Sequence, residues 1–526
     1  MEATTTQPGS NSAIFLGLAA FFVILLHQLC KFTPDPREPP TVHPRIPYVG
    51  HALGMLLQGK RYIRMLDEKH GYGIYTLPVL RWRLYIITSP SMAAAINRVP
   101  KNLSFRPIQV DLVQRVGGLP AQTDKINRVN LMDEEAEGVM TAIHEVIYSM
   151  VPSGPGLEKL TQAVINQVAQ NFGGLPSGKF DTGLHEFCKH MIGTATIRAL
   201  YGQDTPLDHP SLISDYWEFD EGLLALLLSP LPSITHKKPH AARERLARLL
   251  VAYFEGGHDA KACDMMRARF AQYRKHGYST EGLARTELCF IVGAVSNTTI
   301  TAFWFLARIL ADASIVDELR AEITAGALDA ERHRDGEGAA AATFEVAALR
   351  SPAACPLLNS VFRETLRLAS TTTGSRQVLA DTAVGDERYL LKRGAFVSVE
   401  GSVLHYKHAY WGPDAARFNA RRFVCSSSAG TTLDGGKVHP GAWRAFGGGD
   451  VLCPGRNLAQ NEILAVAAAV LLGFDVGGAG GGKEAVVTPA VRDDTMPVGV
   501  LRPASDIDVR FAPRAGWEGV CWKYRA

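Results

Sequence analysis

The chain has 526 residues, 46% of them apolar, and 55 Lys and Arg against 52 Asp and Glu give a net charge of +3. That length allows one large domain or two to three ordinary ones, and the scattering of both signs of charge excludes a nucleic-acid surface. Eight cysteines without framework spacing point to a reducing compartment.

Residues 13–30 are apolar and uncharged, just long enough to span a bilayer. A cleaved signal peptide would carry positive charge before this run and a small-residue cleavage site after it, and neither is present. Glu2 precedes the run while Lys31 and Arg37 follow it. The positive-inside rule therefore puts residues 1–12 on the lumenal side and the body in the cytosol. Residues 31–48 hold Pro34, Pro36, Pro39, Pro40, Pro44 and Pro47, which predicts a stiff extended hinge. Residues 49–526 then form the body.

Within the body, 85–88 and 396–399 are short strand-like runs, and 157–172 and 241–253 have the periodicity of amphipathic helices. The apolar patch 223–228, followed by Pro230-Leu231-Pro232, is too short to cross a membrane and fits a buried helix end or a loop dipping into a bilayer. Residues 290–304 form a helix in which Ser296, Asn297, Thr298 and Thr299 interrupt an apolar run. A plain core helix would leave these groups bonding their own backbone. Four in a row point instead to a water-lined site.

Residues 325–344 read as a surface insertion. The segment 356–368 is a helix opened by Pro356, with Glu364 and Arg367 on one face. An exposed pair of this kind contributes under about 1 kcal/mol. The run 477–483 approaches a phosphate-cradling loop, but Glu484 stands where Ser or Thr is required, so a surface turn is expected. No dinucleotide fingerprint appears either.

Phe446-Gly447-Gly448-Gly449-Asp450-Val451-Leu452-Cys453-Pro454-Gly455-Arg456 carries the chemistry. Glycines around a cysteine let the backbone wrap the sulfur, and the helical run that follows would aim its positive N-terminal end at it. A lone thiolate in that cradle suits axial ligation of haem iron. The other seven cysteines read as small buried apolar residues.

The pattern Phe446-Gly447-x-Gly449-x-x-x-Cys453-x-Gly455, with Ala459 beyond it, resembles the cytochrome P450 family. Glu364-x-x-Arg367 and the stretch 411–423 containing Arg422 match two further motifs of that family in the same order. The resemblance covers roughly residues 40–526. It implies a mostly α-helical fold: a large helical domain, a small β-rich lobe, and a microsomal transmembrane helix before them. It implies haem b with Cys453 as the iron's axial ligand, Arg376 on a propionate, and Glu364, Arg367 and Arg422 as a scaffold triad. Thr298 and Asn297 would handle oxygen and protons, with NADPH electrons arriving through NADPH–cytochrome P450 reductase. The expected substrate is a hydrophobic small molecule and the expected location a single-pass place in the endoplasmic reticulum membrane.

Residues 217–223 resemble fungal secondary-metabolism members, which implies a terpenoid, steroid-like or alkaloid substrate. Two departures stand out. Asn297 replaces the usual acid, similar to the branch holding cholesterol 7α-hydroxylase and prostacyclin synthase, so a redox-neutral isomerase or dehydratase is the alternative reaction. Val451 replaces a usual propionate contact, leaving the second contact unassigned, with Lys125 and Arg128 as weak candidates. A non-catalytic haem protein is the remaining alternative.

Overall fold

The computed structural model describes residues 21, 32–133, 135–205, 210–329, 341–371, 374–424, 432–433, 436–479, 485–493, 495 and 499–526. Apart from Phe21, the expected transmembrane segment lies outside the described residues. So do 330–340 of the expected insertion and 480–484 of the Gly-rich turn. The chain divides into two compact units.

One unit is drawn from within 1–104, 373–403 and 493–496. Its sheet runs Ile74–Val79, Trp82–Ile87, Phe396–Val399, Arg376–Val378, Leu103–Ser104. The Phe396–Val399 strand is parallel to Trp82–Ile87, with Val397 opposite Tyr85, and the other pairings are antiparallel. The first hairpin turns tightly through Leu80, whose φ is +54°. Tyr75, Leu77, Tyr85, Ile86 and Val397 are fully buried, so aromatic and β-branched residues hold this sheet together. The strand expected at 85–88 is longer at its start and ends one residue earlier, at Ile87.

The proline-rich hinge is not a free spacer throughout. Val42 N–H donates to Thr76 O at 3.0 Å, Thr76 N–H donates to Pro40 O at 2.9 Å, and Glu38, 6% exposed, accepts from Arg83 and Tyr85. Residues 38–42 are thus stitched to the sheet edge, because extended proline-rich backbone can lie along a strand wherever its carbonyls find donors. Lys60 and Glu400, both buried, pair at 3.1 Å in the same unit.

The other unit is drawn from within 105–372, 404–492 and 497–526. Its helices include Pro155–Gly173, Lys237–Glu255, Thr280–Leu310, Pro356–Ala369 and Arg456–Gly473. Prolines open two of them, where a missing N–H costs nothing. From Asn461 to Gly473 every side of the last helix is buried, as expected for a helix apolar all round. Among the described residues, Thr280–Leu310 alone is long and apolar enough to cross a membrane, yet 61% of its apolar window lies inside the fold. It is a core helix.

Two expectations need correcting. The ends of the 325–344 insertion are strands: Leu328–Asp329 pairs with Ala341–Glu345, which lies parallel to Cys521–Arg525. Ala342 and Phe344 alternate inward there, a period that anchors both ends of the segment. Gly477 and Gly478 likewise belong to a strand, Phe474–Gly478, paired with Asp508–Pro513. Of the cysteines read as buried apolar residues, Cys188 and Cys355 are buried and Cys263 and Cys289 half-buried. Cys521, on the outward face of its strand, is exposed.

Candidate active site

The segment leading to Cys453 is a sequence of tight turns. Gly447 and Gly449 adopt φ of +79° and +66°, conformations that favour glycine, and Gly449–Val451 closes a short 3₁₀ turn. Gly448 is needed for space: a Cβ there would lie 2.9 Å from the Arg444 guanidinium. Cys453 N–H donates to Phe446 O at 2.9 Å, and Arg456 Nη1 returns to Cys453 O at 3.1 Å. Tyr148 Oη donates to Leu452 O at 2.9 Å, holding the loop from outside.

The helix Arg456–Gly473 starts three residues after the cysteine. Burial pushes the Cys453 thiol up, while the amides of Gly455 and Arg456 and the Arg456 charge pull it down. A sulfur facing two N–H groups and a helix N-terminus is prepared to carry negative charge once a cation is bound. This donor set fits haem iron: one soft sulfur, with carboxylates and imidazoles forming no rival cluster among the described residues.

Glu364 and Arg367 form a bidentate pair, Nε to Oε2 and Nη2 to Oε1 at 2.7 Å each, with neither side chain exposed. Arg422 Nε adds a third bond to Glu364 at 3.0 Å and pairs through Nη2 with Asp414 at 2.7 Å. Arg367 also donates to His405 O at 2.5 Å and Ala415 O at 2.6 Å. The triad therefore fixes backbone as well as charge. Burial and the Arg367 charge push His405 down to about 3. Its neutral ring spans Ser370 O at 3.1 Å and Arg444 N–H at 2.9 Å, tying the triad helix to the start of the cysteine loop.

The central helix is continuous but widens into a π turn at Val292–Ser296, just before Asn297. Such one-turn bulges gather at functional sites. Thr298 is buried, and its hydroxyl reaches only a long bond to Ala294 O, 3.5 Å. Thr301 Oγ1 bonds Asn297 O at 2.7 Å. Asn297 itself is committed: its Oδ1 accepts from Val500 N–H at 3.1 Å. The structure thus puts Asn297 and Thr298 on the α-helical turn that follows the bulge, but turns the amide oxygen toward backbone.

Arg376 lies in the first unit, fully buried, donating to Gly374 O at 3.1 Å and Asn97 Oδ1 at 3.0 Å. Arg128, one of the weak candidates for a propionate, pairs instead with Asp111 at 2.7 Å and Asp124 at 3.0 Å. The apolar patch forms the short helix Leu223–Leu228, of which only Leu226 is buried. Leu228, Leu231 and Ile234 are exposed by more than half.

One cluster escapes the sequence reading. Asp220 and Tyr216, on the helix Pro210–Glu221, both meet Ser296 at the π turn. A carboxylate among aromatic residues was the available signal, but nothing in sequence links positions 220 and 296.

The Cytochrome P450 family model matches residues 223–489. The cytochrome P450 monooxygenase nodJ of Hypoxylon pulicicidum is 30% identical over 512 residues, covering 96% of each chain. A cytochrome P450 monooxygenase of Gibberella zeae is 29% identical over 524 residues, covering 98% of this chain and 96% of its own. Cytochrome P450 7B1 of Mus musculus is 25% identical over 496 residues, covering 90% and 93%. A solved crystal structure of a cytochrome P450 superposes with a TM-score of 0.63 at 18% identity, covering 92% of this chain and all of its own, and shows the shared fold. With a matching family model over half its length and a 30% identical relative along nearly all of it, the chain belongs to the cytochrome P450 family of haem-thiolate monooxygenases.

Proposed function

We propose that this protein is a membrane-anchored monooxygenase of the endoplasmic reticulum, its body facing the cytosol. It takes NADPH electrons through NADPH–cytochrome P450 reductase and inserts one oxygen atom from dioxygen into a hydrophobic terpenoid, steroid-like or alkaloid molecule. The observation that carries the chemistry is the sulfur of Cys453, faced by the amides of Gly455 and Arg456 at the start of a buried helix. When bound, haem b supplies dioxygen activation, with the thiolate pushing electron density toward O–O cleavage. Cys453 holds the iron, and Arg376 is the proposed propionate contact. Thr298 offers a hydroxyl at the bulged turn to hold and pass protons, and Asn297 positions that turn against Val500. The cholesterol 7-alpha-monooxygenase of Cricetulus griseus, 22% identical over 491 residues, supports a bulky apolar substrate. The 13–30 segment and the exposed Leu228, Leu231 and Ile234 support a membrane setting.

The test is the ferrous carbonyl spectrum of freshly purified protein. The long-wavelength band of sulfur-trans carbon monoxide is expected, and it should vanish in Cys453→Ser while haem content is measured separately. A normal band in Cys453→Ser would remove the assignment. A redox-neutral isomerase or dehydratase is the second reading, favoured by Asn297 where an acid is usual. Product formed from an oxygenated substrate without NADPH would support it, and strict dependence on NADPH and reductase would remove it.

A further inference from the structure

The helix Thr280–Leu310 runs through the core, yet one side of it opens around the π turn. Val295, Ser296, Thr298, Thr299 and Ile300 are buried, whereas Gly293 is exposed and Ala294 and Asn297 are only half-buried. A Cβ added to Gly293 would meet nothing within 4 Å. Residues three and four apart share a helix face, so Gly293, Ala294 and Asn297 border one open space. Asn297 is the polar side chain among them.

The hydrogen bonds fix which end of the amide faces that space. Val500 N–H can only donate, so the side-chain atom 3.1 Å from it is the carbonyl oxygen Oδ1. Gly499 has no side chain to push the amide away: a Cβ there would lie 2.5 Å from Oδ1 and 2.8 Å from Nδ2. The segment carrying Val500 is itself held. Thr371 donates its N–H at 2.8 Å and its hydroxyl at 3.1 Å to Gly499 O, and Leu501 N–H donates to Ala369 O at 2.8 Å. With Oδ1 committed, the amide keeps two N–H donors, and among the described residues no atom accepts from them. Nδ2 is not sealed inside the protein either.

We propose that the Asn297 amide nitrogen is a substrate-binding group, donating to a neutral oxygen, carbonyl or hydroxyl, already carried by the hydrophobic substrate. A plain hydrocarbon covering these N–H groups would strip their water and return no acceptor, so the site disfavours it. The amide is uncharged and offers nothing to offset the burial of an anionic oxygen, which selects a neutral one. The molecule therefore holds an oxygen before this protein acts on it. Residue 297 has two separable uses. A carboxylate could hold Val500 equally, but it would turn an acceptor toward the open space where the amide turns a donor. This inference rests on the reading of the site as a haem-thiolate pocket for hydrophobic molecules.

The test titrates full-length, ferric, haem-loaded protein at pH 8 with the three positional isomers of 1-(acetylphenyl)imidazole and their ethylphenyl counterparts. The imidazole nitrogen of each probe binds haem iron and reports binding as a Soret shift, so within each pair only the ketone differs. At least one acetyl isomer should bind wild type roughly three- to tenfold more tightly than its ethyl counterpart. Asn297→Asp keeps the acceptor for Val500 and, about four units above the ordinary aspartate value, has no proton to donate. It should abolish that advantage, as should Asn297→Leu, while affinities for the ethyl series move much less in Asn297→Asp. An acetyl advantage that survives Asn297→Asp, or that is missing from all three isomers in wild type, would overturn the proposal alone. Equal weakening of both series in Asn297→Asp would show a merely structural residue and also overturn it. A wild-type carbonyl adduct without the sulfur-trans band would overturn the haem-thiolate reading and this inference together.

Discussion

Asn297 Oδ1 accepts the Val500 N–H at 3.1 Å, and the neighbouring Gly499, at φ +108°, leaves the space that this contact needs. A Cβ on residue 499 would lie 2.5 Å from the same oxygen. The Asn297 side chain therefore has a structural use, which a carboxylate oxygen at this position would serve equally.

Asn297→Ala should leave the Val500 N–H without its acceptor and lower stability by about 1–3 kcal/mol. Gly499→Ala should cost more than about 1 kcal/mol, since it meets both an unfavourable φ and a collision. Asn297→Asp keeps an acceptor and should stay much closer to wild type. Urea-unfolding midpoints of the three variants check the ordering.

Thr298→Ala removes the hydroxyl at the widened turn, whose own-backbone bond is only 3.5 Å long. Peroxide released per NADPH should rise several-fold while the Cys453 carbonyl spectrum stays intact. An unchanged coupling ratio would show that this hydroxyl takes no part.

Arg367→Ala should destabilise by about 3–5 kcal/mol, because it leaves Glu364 charged, unexposed and missing two bonds. An exposed pair would lose less than about 1 kcal/mol. Denaturant unfolding, with haem retention measured in parallel, separates the two.

Burial pushes the Glu462 carboxyl up to about 8, opposed only by Thr196 Oγ1 at 3.1 Å. A raised folded-state pKa means the folded protein keeps a proton that the unfolded chain releases. Stability from this group is full below its ordinary 4.5 and is lost as pH rises toward about 8. Each unit of displacement is worth about 1.4 kcal/mol. Glu462→Gln should flatten the decline in thermal midpoint between those limits and raise the midpoint at the alkaline end.

His405 gives the opposite slope. Held down to about 3 from an ordinary 6.5, it contributes stability above 6.5 that disappears as pH falls toward 3. His405→Gln should be less sensitive to acid across that window, in midpoints measured at fixed ionic strength.

How far the sequence could be read depended on the distance between interacting residues. Glu364 and Arg367 lie three apart on one helix, and the glycines around Cys453 act within a few residues, so spacing alone exposes both. Helices at 157–172 and 241–253 show in their periodicity and are longer in the fold at both ends. The strand Ala341–Glu345 is hidden because one of its partners is the distant segment Cys521–Arg525, and Leu328–Asp329, which pairs with it, is only two residues long. Asp220 and Ser296, 76 residues apart, were missed for the same reason. The docking of Glu38 on Tyr85 was hidden by proline density, which marks extended backbone without saying what lies beside it.

That docking shortens the leash. With a bilayer segment at 13–30, only residues 31 and 32 precede Thr33, whose carbonyl accepts from Arg83 Nη2 at 2.7 Å, and two extended residues reach at most about 7 Å. The strand-rich unit would then ride close above the lipid headgroups with little freedom to swing. Inserting a Gly-Ser stretch between residues 31 and 32 should loosen that posture without touching the haem chemistry.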